Sequence, residues 1–335
     1  MYIHLHERYL GALVGVHAGD AKAARFEGME PKEIEKILEA EGSLISCDYK
    51  SPWNKNAKEL LPAGMPTDDS DQTADLAWSL ITCNGLDSEH LREALRDSVV
   101  RGKSRLWDGV STGSGENTIN ALSDDPGKNA IARVNKIGTN GSLMRSVPMA
   151  LWLHGKMHHA RVWNNAEKIH WAPEALVAQM SEVTHNHPHS KNACWFYCIM
   201  MEGILCDISK DKLLDYIELV DENFLSNKFS SRIQYALKDE FLFPIDPGAW
   251  PARGTAEFSL YAALWCFMHS TSFEDGIEKA VRIGGDTDTY AAIAGGLLGA
   301  YYGYDAIPAD WRKTILGHDA MVDYAEKLYD MNQQK

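Results

Sequence analysis

The chain lacks strand signals: nowhere does an alternating β-branched segment end in a tight Asn-Gly or Asp-Gly turn. Asn84-Gly85, Asp108-Gly109 and Asn140-Gly141 instead fall between helical patterns and read as loops. Linkers, internal repeats and low-complexity tracts are missing too; the length alone suggests about two domains, although one large helical domain over 1–335 is not unusual. The six cysteines form no Cys-x-x-Cys pair and the chain opens Met-Tyr-Ile-His-Leu-His-Glu rather than with a signal sequence, so a reduced, cytoplasmic protein is expected. Its longest uncharged run, Thr289–Tyr304, falls short of the roughly 20 apolar residues that span a bilayer, and no membrane partner is expected. Basic residues are also scarce: 33 Lys and Arg face 47 Asp and Glu, a net charge of −14, which argues against general nucleic-acid binding.

What is present is mostly helical. Tyr9–Ala18, Lys32–Ala40, Thr73–Ile81, Ser88–Val99, Ala172–Val183, His189–Leu205, Lys210–Val220, Ser226–Leu237, Ala256–His269, Phe273–Arg282, Thr289–Tyr302 and His318–Asp330 fit a 3.6-residue period better than alternation. An apolar content of 45% can fill a core, and ten Trp with thirteen Tyr supply bulky anchors. An all-α fold is expected. Gly295, Gly299 and Gly303 recur every fourth residue and predict a smooth helix face on which another backbone rests closely.

Two acidic clusters stand out because nothing basic accompanies them. Gly284-Gly-Asp-Thr-Asp-Thr289 begins a helix with no Lys or Arg from Ile283 to Tyr304, and Asp68, Asp69, Asp71 and Asp75 lie between Pro62 and Ser79, again without a basic neighbour. A helix N-terminus relieves such crowding only in part. Thr67-Asp68-Asp69 has a plainer reading as an N-cap with its acidic first turn. Two clusters that both offer Thr and Asp oxygens point instead to a hard cation, Mg²⁺, Ca²⁺ or Mn²⁺. Six side chains, Thr67, Asp68, Asp69, Asp286, Asp288 and Thr289, could clamp two of them.

Arg8-Tyr-Leu-Gly-Ala-Leu-Val-Gly-Val-His-Ala-Gly-Asp20, Pro66-Thr-Asp-Asp-Ser-Asp-Gln72, Gly138-Thr-Asn-Gly-Ser-Leu-Met-Arg145, Thr184-His185 and Gly284–Thr289 occur in this order. Together they resemble the ADP-ribosylglycohydrolase family, which includes the dinitrogenase-reductase-activating glycohydrolases. The resemblance implies a single all-helical domain, two Mg²⁺ or Mn²⁺ ions, and hydrolysis at the distal ribose of an ADP-ribosylated substrate, a protein by preference, with ADP-ribose as product. It makes Thr67, Asp68, Asp69, Asp286, Asp288 and Thr289 metal ligands and leaves Glu27 and Asp286 as the candidate catalytic carboxylates. It further implies a substrate cradle of Gly138, Thr139, Asn140, Gly141 and Ser142, a second ligand loop over Gly109–Thr118 that includes Gly113, Ser114 and Gly115, and His185 beside the ligand. Asp20 is expected to be structural, and Arg145 to serve that cradle or a buried ion pair.

The sequence departs from family members that carry Asp-Ile-Gly where Gly113-Ser114-Gly115 stands, and Lys22-Ala23 replaces a usual Leu-Gly. His187 and His189 read as polar capping rather than as transition-metal ligands. Two further readings use the same residues: a catalytically silent ADP-ribose-binding or scaffold protein, and a metal-dependent phosphoesterase.

Overall fold

A computed structural model describes residues 3–41, 48–52, 60–133, 137–156, 173–220, 236 and 254–333. Helices α1 (Leu5–Ala23), α2 (Pro31–Glu41), α3 (Asp68–Cys83), α4 (Ser88–Val99), α5 (Glu116–Leu122), α6 (Pro126–Arg133) and α7 (Val147–Leu153) come first. They are followed by α8 (Pro173–Glu182), α9 (Pro188–Leu205), α10 (Leu213–Val220), α11 (Ala256–Met268), α12 (Phe273–Ile283), α13 (Thr287–Tyr302), α14 (Ala309–Thr314) and α15 (His318–Gln333). The fold is all-α. Among the described residues the only named strands are a two-residue antiparallel pair, β1 (Tyr49–Lys50) with β2 (Leu60–Leu61).

Eleven of the twelve expected helices are present; Ser226–Leu237 lies outside the described residues apart from Ala236. Four helices escaped the periodicity reading: α5, α6, α7 and α14. The first, second and last are short and polar, and α7 is apolar all round, so none shows a clean stripe. Among the described residues Cys83, Cys194, Cys198, Cys206 and Cys266 are free thiols, and Cys47 lies outside them. No described helix is long and apolar enough to cross a membrane.

Antiparallel packing of α1 on α13 sets up the rest. A Cβ on Gly11 would stand 2.1 Å from the Gly299 carbonyl oxygen, one on Gly15 2.2 Å from that of Gly295, and one on Gly19 2.1 Å from that of Ala291. Only glycine lets the two backbones meet. Gly303 is not part of that strip; it ends α13 at φ +87°. Because the helices run in opposite senses, the last turn of α1, with Asp20, is brought to the first turn of α13, with Asp288. Around them the apolar side chains of α3, α7, α9, α11, α12 and α15 close one continuous core.

Candidate active site

The first turn of α3 is fastened to α1 by Asp20. This aspartate, fully buried, accepts from Thr67 N (2.9 Å) and Ser70 N (3.1 Å) through Oδ2, which also takes a short bond from Ser70 Oγ, while Oδ1 accepts from Thr67 Oγ1 (2.8 Å). Two orphan amides of a helix start are thereby satisfied by a carboxylate from another helix, the structural role expected for it. Lys22, in the last turn of α1, turns away and packs its ammonium 4.4 Å from the Trp311 ring.

The start of α13 is set by Gly284 and Gly285, both in the left-handed region (φ +73° and +81°). A side chain on Gly284 would also collide with Pro31 Cδ (2.8 Å) and the Met29 carbonyl (2.9 Å). Gly285 exchanges backbone hydrogen bonds with the Glu27 loop, Gly28 N to Gly285 O (2.7 Å) and Gly285 N to Met29 O (2.9 Å). That clasp carries Glu27 to Asp286 and Asp288.

Two carboxylate trios result, Asp20 with Asp69 and Asp288, and Glu27 with Asp286 and Asp288; within each, one oxygen per residue lies within 4.8 Å of the others. Thr67 Oγ1 is 3.2 Å and Thr289 Oγ1 3.4 Å from Asp69 Oδ2, so the α3 and α13 clusters share one site. Asp69 Oδ1 and Glu27 Oε2 are buried with no hydrogen-bond partner. Asp68, nearly buried, accepts from Gln72 Nε2 at 2.6 Å. Burial and the neighbouring Asp288 push Asp68 and Asp69 well above the usual carboxylate range and raise Asp20 and Asp286 to about 7. Glu27 is raised as well, by burial first and then by Asp288. An oxygen-only donor set with orphaned, mutually repelling carboxylates suits hard divalent cations. Asp20 belongs to this group as well as to the scaffold, a position the motif reading had not assigned to the metals.

Of these carboxylates Glu27, Asp68 and Asp286 line a cleft of ≈ 850 Å³. Of the residues expected to hold ligand, Gly113, Gly115, Thr139, Asn140, Gly141 and His185 line it, together with Glu27, Asp68, Asp286 and Thr289. Asn140 Nδ2 donates to Asp286 Oδ2 (2.7 Å) and Ser259 Oγ (2.8 Å), fixing that carboxylate. Ser114 and Gly138 are not among the lining residues; the Gly138 carbonyl accepts from Ala256 N (2.8 Å) and helps start α11. Ser142 is fully buried behind the loop, with Oγ 2.8 Å from Ser181 Oγ. His189 Nδ1 pairs with Glu257 (3.2 Å) at the base of α9.

From the end of the expected Gly109–Thr118 loop, Glu116, Asn117 and Thr118 also line the wall, already on α5, and sequence reasoning passed over Asn120 and Met144. Glu116 follows the Gly113-Ser114-Gly115 segment directly, so a carboxylate does stand at this edge of the cleft, on the helix rather than in the loop. Among the described residues no Lys or Arg lines the cleft. Arg145 is fully buried, and its partners are neutral: Nη1 donates to Gln72 Oε1 (2.7 Å) and the Gly141 carbonyl (3.0 Å), and Nη2 to Thr184 Oγ1 (2.6 Å). Among the described residues it makes no ion pair, contrary to one of the two expected roles.

A helical scaffold that gathers carboxylates at one end of a ligand-sized cleft has the make-up of a metal-assisted hydrolase. The ADP-ribosylglycohydrolase family model matches residues 1–335, and the chain belongs to that family. It is similar to the ADP-ribosyl-[dinitrogen reductase] glycohydrolase of Rhodospirillum rubrum, 24% identical over 93% of this chain and 91% of that protein. It is also similar to the ADP-ribosylarginine hydrolase Tri1 of Serratia proteamaculans, 24% identical over 96% of this chain and 78% of that one. A solved structure described as an ADP-ribosylglycohydrolase-related protein complex superposes with a TM-score of 0.71 at 27% identity, covering 98% of both chains. The protein is therefore an enzyme of the glycohydrolase class that removes ADP-ribose from a modified acceptor.

Proposed function

We propose that this enzyme frees arginine side chains of proteins from ADP-ribose, using two Mg²⁺ or Mn²⁺ ions held by Thr67, Asp68, Asp69, Asp286, Asp288 and Thr289. The observation that carries the reading is the pair of carboxylate trios meeting at Asp288, with Glu27 and Asp286 of one trio lining the cleft. Charge supports the acceptor class: Glu27, Asp68, Glu116 and Asp286 line the cleft and, among the described residues, no lysine or arginine does, which favours a cationic guanidinium as leaving group. The names of the Serratia relative and of the Rhodospirillum glycohydrolase, an enzyme acting on a protein, point the same way.

Bound divalent cations would supply Lewis-acid stabilisation of the distal ribose hydroxyls and acidify a water. The chain's residues supply the rest. Asn140 holds Asp286 in one orientation, and the glycines at 113, 115 and 141 leave room for the nucleotide. Glu27 is the residue placed to carry the proton: it stands in one trio with Asp286 and Asp288, and its Oε2 is buried without a hydrogen-bond partner. As the bond from the anomeric carbon to the guanidine nitrogen breaks through an oxocarbenium-like state, that nitrogen takes the proton. The carboxylate left behind accepts one from the water that adds to the same carbon.

A panel of arginine-, serine- and base-linked ADP-ribosyl substrates analysed by mass spectrometry tests the reading. The expected result is intact ADP-ribose and unmodified arginine, with the other linkages slower. AMP as primary product would support phosphoesterase chemistry instead. Tight binding with no cleavage would support a binding module.

A further inference from the structure

Arginine cannot accept a hydrogen bond, so an arginine in the middle of a hydrogen-bond chain fixes the direction of the bonds it makes and limits those of its neighbours. Arg145 occupies such a position. On one side it donates to Gln72 Oε1, which orients the amide so that Nε2 donates to Asp68 Oδ2 (2.6 Å). On the other side it donates to Thr184 Oγ1, and the Thr184 hydroxyl lies 2.7 Å from His185 Nδ1. Arg145 occupies one lone pair of that oxygen, and among the described residues the threonine proton has no acceptor other than the imidazole, so it points to Nδ1, which becomes the acceptor. Gln72 and Arg145 are fully buried, and Asp68, Thr184 and His185 are 3–4% exposed, so water does not compete for these bonds.

Resting on the functional reading above, we infer that the chain Asp68–Gln72–Arg145–Thr184–His185 locks His185 as the neutral Nε2–H tautomer and presents that N–H as a donor to the bound nucleotide. Arg145 is then a positioning residue that ties a metal-side carboxylate to the opposite wall of the cleft. Two further observations agree. The Cε1–Nε2 edge of His185 lies on the cleft-lining Gly141, where a Cβ would come within 2.8 Å of Cε1 and 3.1 Å of Nε2, and Arg145 holds the Gly141 carbonyl. Burial, then Arg145, lowers His185 to about 3, while Arg145, lowered by burial to about 10, keeps its charge at neutral pH.

The test is the nitrogen-15 spectrum of histidine-labelled full-length protein at pH 7, with His185 assigned by its loss in His185→Asn, alongside direct titration with ADP-ribose. In the wild type His185 should appear as the Nε2–H tautomer. In Thr184→Val, which keeps the shape and removes the hydroxyl, the tautomer should change and ADP-ribose affinity should fall about tenfold, the worth of one hydrogen bond to a buried group. Thr184→Ser should restore both. An Nδ1–H or charged His185 in the wild type overturns the inference, and so does a Thr184→Val protein in which either the tautomer or the affinity stays at its wild-type value. Failure of the wild type to cleave any ADP-ribosyl linkage would overturn the functional reading, while the His185 resonance would still decide the tautomer.

Discussion

Helix α3 carries two pairs of aspartates one turn apart, and the two are treated in opposite ways. Asp71 and Asp75 are buried but provided for: Asp71 Oδ1 accepts from Ser104 Oγ (2.5 Å), and Asp75 accepts from Arg105 Nε (2.6 Å) and Ser98 Oγ (2.5 Å). Arg105 is in turn held by Asp97 (3.0 Å) and lies 3.7 Å over the Trp78 ring. Asp68 and Asp69 face the other way, toward Asp20, Asp286 and Asp288, and find only hydroxyls, one amide and more carboxylates. Burial raises all four. The protein supplies a counter-charge to Asp75 and a hydroxyl to Asp71, whose Oδ2 is buried without a hydrogen-bond partner, whereas at the cleft several carboxylates gather and the counter-charge is left to something that binds.

That contrast can be broken from either end. Asp288→Asn, which removes the carboxylate common to both trios, should lower turnover about 10³-fold or more, since cation stabilisation of the transition state amounts to several kcal/mol. Its metal-free melting temperature should be equal to or above wild type, because a like-charge contact is relieved. Glu27→Gln should reduce kcat about 10²-fold with ADP-ribose affinity nearly unchanged, as expected of a group that handles a proton only in the transition state. Asp75→Asn does the reverse: a urea titration should show a loss of about 2 kcal/mol from the weakened Arg105 pair, with metal binding intact.

A gentler effect appears in pH. Asp20, Asp286 and Asp75 titrate at about 7 and Asp71 at about 6 in the folded metal-free protein, all above the unfolded value of 3.8. The native state therefore binds more protons than the unfolded one between about pH 4 and 7, and stability should fall as pH rises through that window and level off above it. Saturating Mg²⁺ should remove the share due to Asp20 and Asp286 and leave that of Asp71 and Asp75. Thermal melts across pH with Mg²⁺ or with EDTA separate the two, and a slope indifferent to Mg²⁺ would contradict the contrast.

How much of this was legible in the sequence depends on the range of the interaction. Long amphipathic helices such as α4 and α12 announce themselves through local caps and periodicity, Asp87 and Ser272 included. The scarcity of nearby cations also marked Asp68, Asp69, Asp286 and Asp288 correctly as a group without local compensation. The same rule misread Asp75, because its partner Arg105 arrives from beyond α4, where no local window reaches. Asp20 reads from the sequence as structural, bonding backbone or a metal-bound water, and not as one of the ligands, because its place among the carboxylates follows from the antiparallel meeting of α1 and α13 through Gly11, Gly15 and Gly19, a tertiary fact. The Gln72–Arg145–Thr184 chain stayed hidden for a similar reason: its members come from three separate segments and are individually unremarkable polar residues.

The measurement that bears most directly on the division within α3 is the number of Mn²⁺ ions bound per chain, counted by electron paramagnetic resonance of free Mn²⁺, in the wild type, Asp288→Asn and Asp75→Asn. Two ions in the wild type, fewer in Asp288→Asn and two in Asp75→Asn are expected. Mn²⁺ binding that survives Asp288→Asn undiminished, or that is lost in a folded Asp75→Asn protein, would contradict it.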